Sequence, residues 1–210
     1  MGQKVNPNAL RLGILHSWDS RWFSDRKRNY RMMLVEDIRL RQMLQSNLRA
    51  ALISKVEIER SIKKIDITLH VGRPGVAIGR GGEELAKIKK AVENFFSKKK
   101  ENLKIDLKIE PIKKPDLDPY LVALNIADQL VRRIPHKRAV KQAIARVMNT
   151  GAKGVKVALS GRIAGAEIGR REKYGEGTIP LSTIRENVLF AKIPAMTKSG
   201  YVGIKVWIGV

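Results

Sequence analysis

The sequence predicts an α+β protein built as two successive units, each a sheet with helices on one face. Three observations carry this. Strictly alternating apolar stretches are interleaved with stretches of helical period, and a glycine-rich turn joins one such strand to one such helix. A proline cluster, Pro111, Pro115 and Pro119, then divides the chain near its middle. The predicted division is a basic arm over 1–35, a first unit over 36–110, a linker over 111–119 and a second unit over 120–210.

The arm is polar, carries Trp18, Trp22 and Phe23, and has no sustained period. In VEDIRLRQMLQSNLRAALI, Val35, Ile38, Met43, Leu44, Leu48 and Leu52 recur at broadly helical spacing, with Glu36 and Asp37 suited to the positive end of a helix. Val56 and Ile58 then alternate with Glu57 and Glu59. Ile65, Ile67, Leu69 and Val71 alternate with Asp66, Thr68 and His70, the pattern of a half-buried strand. Beyond the glycine turn, Leu85, Ile88, Val92 and Phe95 mark one face of a helix that ends in the charged run KKKEN. Leu103, Ile105, Leu107 and Ile109 form the next strand.

In the second unit Leu117, Leu121, Leu124, Ala127 and Val131 line a helix. Asp116 and Asp118 at its start and Arg132 and Arg133 at its end complement the helix dipole. A second helix runs from about Lys137 to Asn149, and GAKG turns into the strand VKVALSG. The rest is rich in glycine and arginine and closes with Val202, Ile204, Val206, Ile208 and Val210 in alternation.

Composition narrows the partner. Of 210 residues, 42 are Lys or Arg against 20 Asp or Glu, a formal charge of +22, and 43% are hydrophobic. Such self-repulsion is best tolerated when a polyanion neutralises it, and the apolar content supports real cores. A folded nucleic-acid binder is therefore favoured over a disordered tail, with an anionic membrane surface as the competing partner. There is no cysteine, and His16, His70 and His136 lie far apart, so no metal site is expected; each histidine reads as a surface or RNA-facing polar residue. No apolar run reaches the length of a membrane span, and Arg11 and Gly13 interrupt LRLGIL where a signal peptide needs an apolar core. A soluble, cytoplasmic chain is expected.

The stretch VGRPGVAIGRGGEELAKIKK (Val71–Lys90) needs its glycines for something other than a nucleotide. A dinucleotide fingerprint would place its third glycine at Glu84, and a P-loop would follow Gly82 with lysine rather than Glu83. Gly79-Arg80-Gly81-Gly82 is instead a G-x-x-G loop leading into a helix. Without side chains, such a loop lets another backbone approach closely, and a helix N-terminus favours phosphate. That is how a KH domain clamps about four nucleotides of single-stranded RNA. Arg80, with Arg73 at the strand end, supplies charge. An ordinary glycine turn is the alternative.

A second constellation lies in LVRRIPHKRAVKQAIARVMN. At 100° per residue Val140, Ala143, Ile144 and Val147 gather on one side, while Lys137, Arg138, Lys141 and Arg146 spread over roughly the other. From Arg132 to Thr150 no residue is acidic. Solvated faces usually mix signs, so a face of one sign suits an RNA phosphate track.

MGQKVNPNALRLGI, SRWF, RPGVAIGRGG, GAKGVKVALSGR, GAEIGR, IPLSTIR and GIKVWI, in that order and nearly end to end, resemble the bacterial-type small-subunit ribosomal protein S-three family. The resemblance implies a type II KH domain, a three-stranded sheet with helices on one face, followed by a C-terminal α+β domain of two helices packed on an antiparallel sheet. It implies a non-enzymatic structural constituent bound to small-subunit ribosomal RNA in the head. The family also lines the channel through which messenger RNA enters and helps unwind it. By position, Arg132, Arg133, Lys137, Arg138 and Lys141 would face the message, and Arg73, Gly79, Arg80, Gly81 and Gly82 would hold RNA at the KH loop. Ribosomal proteins S-ten and S-fourteen are the implied neighbours, contacted partly through the N-terminal region, where Trp18, Trp22 and Phe23 either anchor them or pack on their own domain. Gly81 stands where the family often has a second basic residue, and His136 and Lys137 where an aromatic and an arginine are common. No catalytic residue, metal, cofactor or small-molecule substrate is expected. A free-standing KH regulator and an RNA-processing enzyme are the alternatives, and the second would need convergent carboxylates or a nucleophile–base pair.

Overall fold

The computed structural model describes residues 4–62, 64–97 and 104–210. The KKKEN run and Leu103 lie outside these. The chain forms two compact units, one of residues 18–113 and one that joins the N-terminal 17 residues to 114–210. The stretch set apart as an arm is thus shared between them. Its start holds a short helix α1 (Pro7–Leu10), which Asn6 caps by accepting from the Asn8 amide, and which belongs with the C-terminal unit.

The KH-like unit opens with a two-residue strand β1 (Ser20–Arg21) and a long helix α2 (Lys27–Asn47). It continues through β2 (Ile53–Arg60), β3 (Lys64–Val71), α3 (Pro74–Ile78), α4 (Glu83–Ser97) and β4 (Lys104–Pro111). The sheet order is β1-β2-β3-β4, with β2 and β3 antiparallel and β3 and β4 parallel. A parallel pair needs a crossover, and α3 with α4 supplies it. The three predicted strands are joined at the edge by β1, which pairs parallel to β2.

Alternation in β3 works as the period of two requires: Ile65, Ile67, Leu69 and Val71 are buried while their neighbours are half-buried. They pack with Val56 and Ile58 of β2 against Leu40 and Leu44 of α2 and Ile88, Val92 and Phe96 of α4. Helix α2 starts nine residues before Glu36, so Glu36 and Asp37 sit in its middle rather than at its positive end. Its inward face is Asp37, Leu40 and Leu44, while Val35 and Ile38 are exposed. Asp37 is fully buried and held by Arg60, Ser20 and Trp22, whose indole Nε1 donates to it at 2.8 Å.

In the C-terminal unit α5 (Pro119–Val131) and α6 (His136–Asn149) cover one face of an antiparallel sheet. Its strands are β5 (Gly154–Gly161), β6 (Arg170–Gly177), β7 (Val188–Thr197) and β8 (Gly200–Gly209), in the order β6-β5-β8-β7. Asp118 caps α5 by accepting from the amides of Tyr120 and Leu121. Val122, Ile126, Val140, Ile144 and Val147 of the helices meet Val155, Val157, Leu159, Ile204, Val206 and Ile208 of the sheet. Leu124 is only partly buried in this core and Val131 is exposed. A smaller cluster, Ala158, Val188 and Trp207 with Ile179, Leu181 and Phe190, lies on the opposite face.

Candidate nucleic-acid interface

The loop Gly79–Gly82 runs between α3 and α4 with all but Arg80 in left-handed backbone: φ is +74° at Gly79, +62° at Gly81 and +83° at Gly82. At Gly79 glycine is required twice over, because a Cβ would also lie 2.8 Å from Cγ of Glu84. At Gly81 and Gly82 nothing lies within 4 Å of where a Cβ would stand. At these two positions the loop presents bare backbone to open space, and Arg80 and Gly81 are exposed. Arg73, also exposed, stands at the N-cap of α3, about 9 Å of helix rise away from the loop. Glu83 and Glu84 occupy the first turn of α4, and the Glu84 carboxylate lies 2.7 Å from Nζ of Lys87, which partly offsets its charge toward a phosphate.

In the other unit α6 keeps His136, Ala139, Val140, Ala143, Ile144 and Val147 buried and leaves Lys137, Arg138, Lys141 and Arg146 exposed. The 3.6-residue period therefore separates apolar and cationic sides as the sequence indicates. His136 departs from expectation. It is buried at 9% exposure, and its Nε2 lies 2.9 Å from Oε2 of Glu172 on β6, so it anchors the first turn of α6 instead of facing RNA. Glu172 in turn accepts from the Tyr174 hydroxyl and pairs with Arg170. The Tyr174 hydrogen bond is the largest influence holding its carboxyl below the usual range. Burial, with Glu172 beside it, pushes the Tyr174 hydroxyl up to about 12.

Arg132 and Arg133 are exposed where the chain turns from α5 into α6. The Arg133 amide donates to Leu130 O and the Ile134 amide to Gln129 O, both at 3.0 Å, the paired bonds of a Schellman stop. The position that glycine usually fills is Arg133, at φ +61°. No glycine or asparagine in RRIP marks this strained conformation in the sequence. It places Arg133 on a cavity of about 730 Å³ that Ile134, Ile163 and Val202 line, with Arg162 and Lys198 also contributing.

Comparison with known proteins decides the family. Residues 39–117 match the family model described as KH domain, and residues 126–208 that of ribosomal protein S3, C-terminal domain. The chain is 46% identical over 208 residues to the small ribosomal subunit protein uS3 of Pelotomaculum thermopropionicum, covering 99% of this chain and 87% of that one. It belongs to the uS3 family. Similar relatives occur in Desulforamulus reducens, 44% identical with 99% and 91% covered, and Ligilactobacillus salivarius, 44% identical with 99% and 92% covered. Membership makes the chain a structural, non-enzymatic component of the small ribosomal subunit, with a KH domain suited to RNA and a place in translation. Among the described residues no helix is long and apolar enough to cross a membrane, and no cluster of His, Asp and Glu forms a candidate metal site.

Proposed function

We propose that this uS3-family chain binds small-subunit ribosomal RNA in the head of the cytoplasmic ribosome and guides messenger RNA where it enters, helping to open its secondary structure. The observation that carries the reading is the outward face of α6, where Lys137, Arg138 and Lys141 are exposed in a segment without a carboxylate of its own. Arg132 and Arg133 extend those cations through the preceding turn. Phosphate contacts of this kind need no base readout, so they suit a message of any sequence. Unwinding then requires only that the contacts favour the separated strand as the ribosome advances. Arg73, Gly79, Arg80, Gly81 and Gly82 hold ribosomal RNA, the bare loop admitting a sugar-phosphate chain against the N-terminus of α4. The functional division follows 36–110 for the KH clamp and 120–210 for the ribosomal domain. Exposed Trp18 and Phe23 suit docking to ribosomal proteins S-ten and S-fourteen, whereas Trp22 is taken up by Asp37.

The test uses small subunits assembled with the parent chain or with Lys137→Ala, Arg138→Ala and Lys141→Ala together. Elongation is timed on an unstructured message and on one with a stable downstream hairpin. The variant is expected to match the parent on the first and to slow on the second. Equal speed on both messages would remove α6 from the unwinding role.

A further inference from the structure

The two sheets of this chain treat their helix-free faces oppositely. On the KH sheet charges of both signs are interleaved and most of them pair, although Lys104 and Lys108 of β4 have no ion-pair partner among the described residues. Lys55 lies 2.8 Å from Glu57 and 3.1 Å from Asp19, and Lys64 lies 2.7 Å from Asp66 and 3.0 Å from Asp106. Arg21 lies 2.6 Å from Glu59, and His70 sits 3.5 Å from both Glu57 and Glu110. The carboxylates of that face thus offset most of its cations within the protein.

The helix-free face of the C-terminal sheet has no such offset. Its register puts Lys173 of β6 opposite Ala158 of β5, Ala158 opposite Lys205 of β8, and Lys205 opposite Lys192 of β7. One row across four strands, about 14 Å at the usual strand spacing, therefore carries three lysines and an alanine. Arg171 stands opposite Ser160 in the adjacent row, and Lys156 lies two residues from Ala158 on β5. Period-two alternation sends Glu172 and Glu176 to the helix-covered side, leaving no Asp or Glu at any strand position of this face. Arg171, Lys173 and Lys192 are exposed and Lys156 and Lys205 half-buried, and none of the five has an ion-pair partner among the described residues. Burial, then the charges of Lys4, Lys173 and Arg171, lower the Lys156 pKa, which reports the same crowding of cations.

Like charges directly opposite in a sheet cost stability, so a face that keeps them has a use for the field they make. We infer that this face, separate from the KH loop and from α6, is a docking surface for the phosphate backbone of duplex RNA, gripped by Lys173, Lys192, Lys205 and Arg171. The two large aromatics of this face offer little free ring to stack on bases: Trp207 is buried and Phe190 half-buried, 5.1 Å apart between ring centroids, in the cluster with Ile179 and Leu181. Among the described residues of this face, the one exposed ring is Tyr201, at the far end of β8. Single-stranded RNA is typically read by stacked bases, whereas duplex RNA is held by shape and phosphate, which this flat cationic row matches. The inference rests on the proposed RNA-binding role and adds a surface to it.

The test changes Lys173, Lys192 and Lys205 together to Gln in the full chain. Binding to two RNA hairpin duplexes of unrelated sequence is measured over a series of KCl concentrations. The log–log salt slope is expected to fall by about 2 to 3, at about 0.9 per lost contact, equally for both duplexes. The thermal midpoint is expected to hold or rise, because repulsion has been removed. Lys192→Glu, which gives Lys205 an opposite partner, is a second variant expected to fold and to lower the slope. The α6 triple variant is run beside them. An unchanged slope in both sheet variants, while the α6 variant loses slope, would overturn the sheet surface alone and leave an acidic protein as its occupant. If the parent binds neither duplex with a salt dependence, the RNA role falls with it.

Discussion

Nε of Arg11 donates to the carbonyl of Glu186 at 2.7 Å, joining residues 175 positions apart. The same guanidinium, fully buried, also bonds the carbonyls of Pro7, Pro180, Leu181 and Thr183. All five partners are neutral carbonyls, so the fork geometry of the guanidinium, and not an ion pair, makes the site. The N-terminal segment is thereby fastened to the loop between β6 and β7, while Asn8 Nδ2 donates to Phe190 O.

Arg11→Ala is expected to destabilise the C-terminal unit by about 3 kcal/mol, since several carbonyls lose their donor in a buried place. Arg11→Lys should recover less than half of that, because one ammonium cannot reach all five. Urea unfolding followed by circular dichroism checks both. A loss below about 0.5 kcal/mol for Ala would show that the clip contributes nothing beyond surface contact.

Arg133→Gly separates function from stability at the α5–α6 turn. A non-glycine residue in left-handed backbone costs about 1 kcal/mol, and glycine would relieve it. The variant is expected to melt slightly higher and to bind RNA with a salt slope smaller by about 0.7 to 0.9. Unaltered RNA binding would leave the strained arginine without a role in the cationic track.

At the KH loop the two kinds of glycine should part company. Arg80→Asp with Gly81→Asp meets open space, and Asp tolerates left-handed backbone, so the melt should move little while RNA binding weakens several-fold. Gly79→Ala meets Glu84 and should lower stability by about 1 to 2 kcal/mol. Equal loss of fold from both changes would mark the loop as an ordinary structural turn.

Glu172 and Tyr174 give stability a defined pH window. The folded carboxyl of Glu172 titrates below its ordinary range, chiefly through the Tyr174 hydroxyl, so its contribution is present above the unfolded value of about 4.3 and is lost as pH falls through the folded one. The Tyr174 hydroxyl is raised to about 12 by burial and by Glu172, so its contribution is present below about 10 and fades as pH rises through that raised value. Glu172→Gln should therefore melt below the parent at pH 7, with the gap closing below about pH 4. A gap that does not change with pH would contradict this assignment.

The strands and the cationic helix were legible because period is a local property. The alternation of Ile65, Ile67, Leu69 and Val71 and the sidedness of α6 needed no tertiary information. Arg11 was opaque for the opposite reason. Beside Gly13 it reads as a break in an apolar run, and only its carbonyl partners 169 to 175 residues away explain it. Asp37 misled in the same way, since helix α2 begins at Lys27 without a side-chain cap to announce its start. His136 looked like one more polar residue of the basic helix until β6 brought Glu172 beneath it. The lysine row needed the register, because Lys173, Lys192 and Lys205 become neighbours only when β6, β5, β8 and β7 are laid side by side.

Residence in the small ribosomal subunit is tested most directly by sedimentation of a native lysate on a density gradient, with each fraction probed for this chain. Near-stoichiometric migration with the small ribosomal subunit that survives moderate salt is expected, with partial release of a chain carrying the Arg80→Asp and Gly81→Asp changes. A parent chain found mainly in the light fractions, free of ribosomal RNA, would contradict that residence.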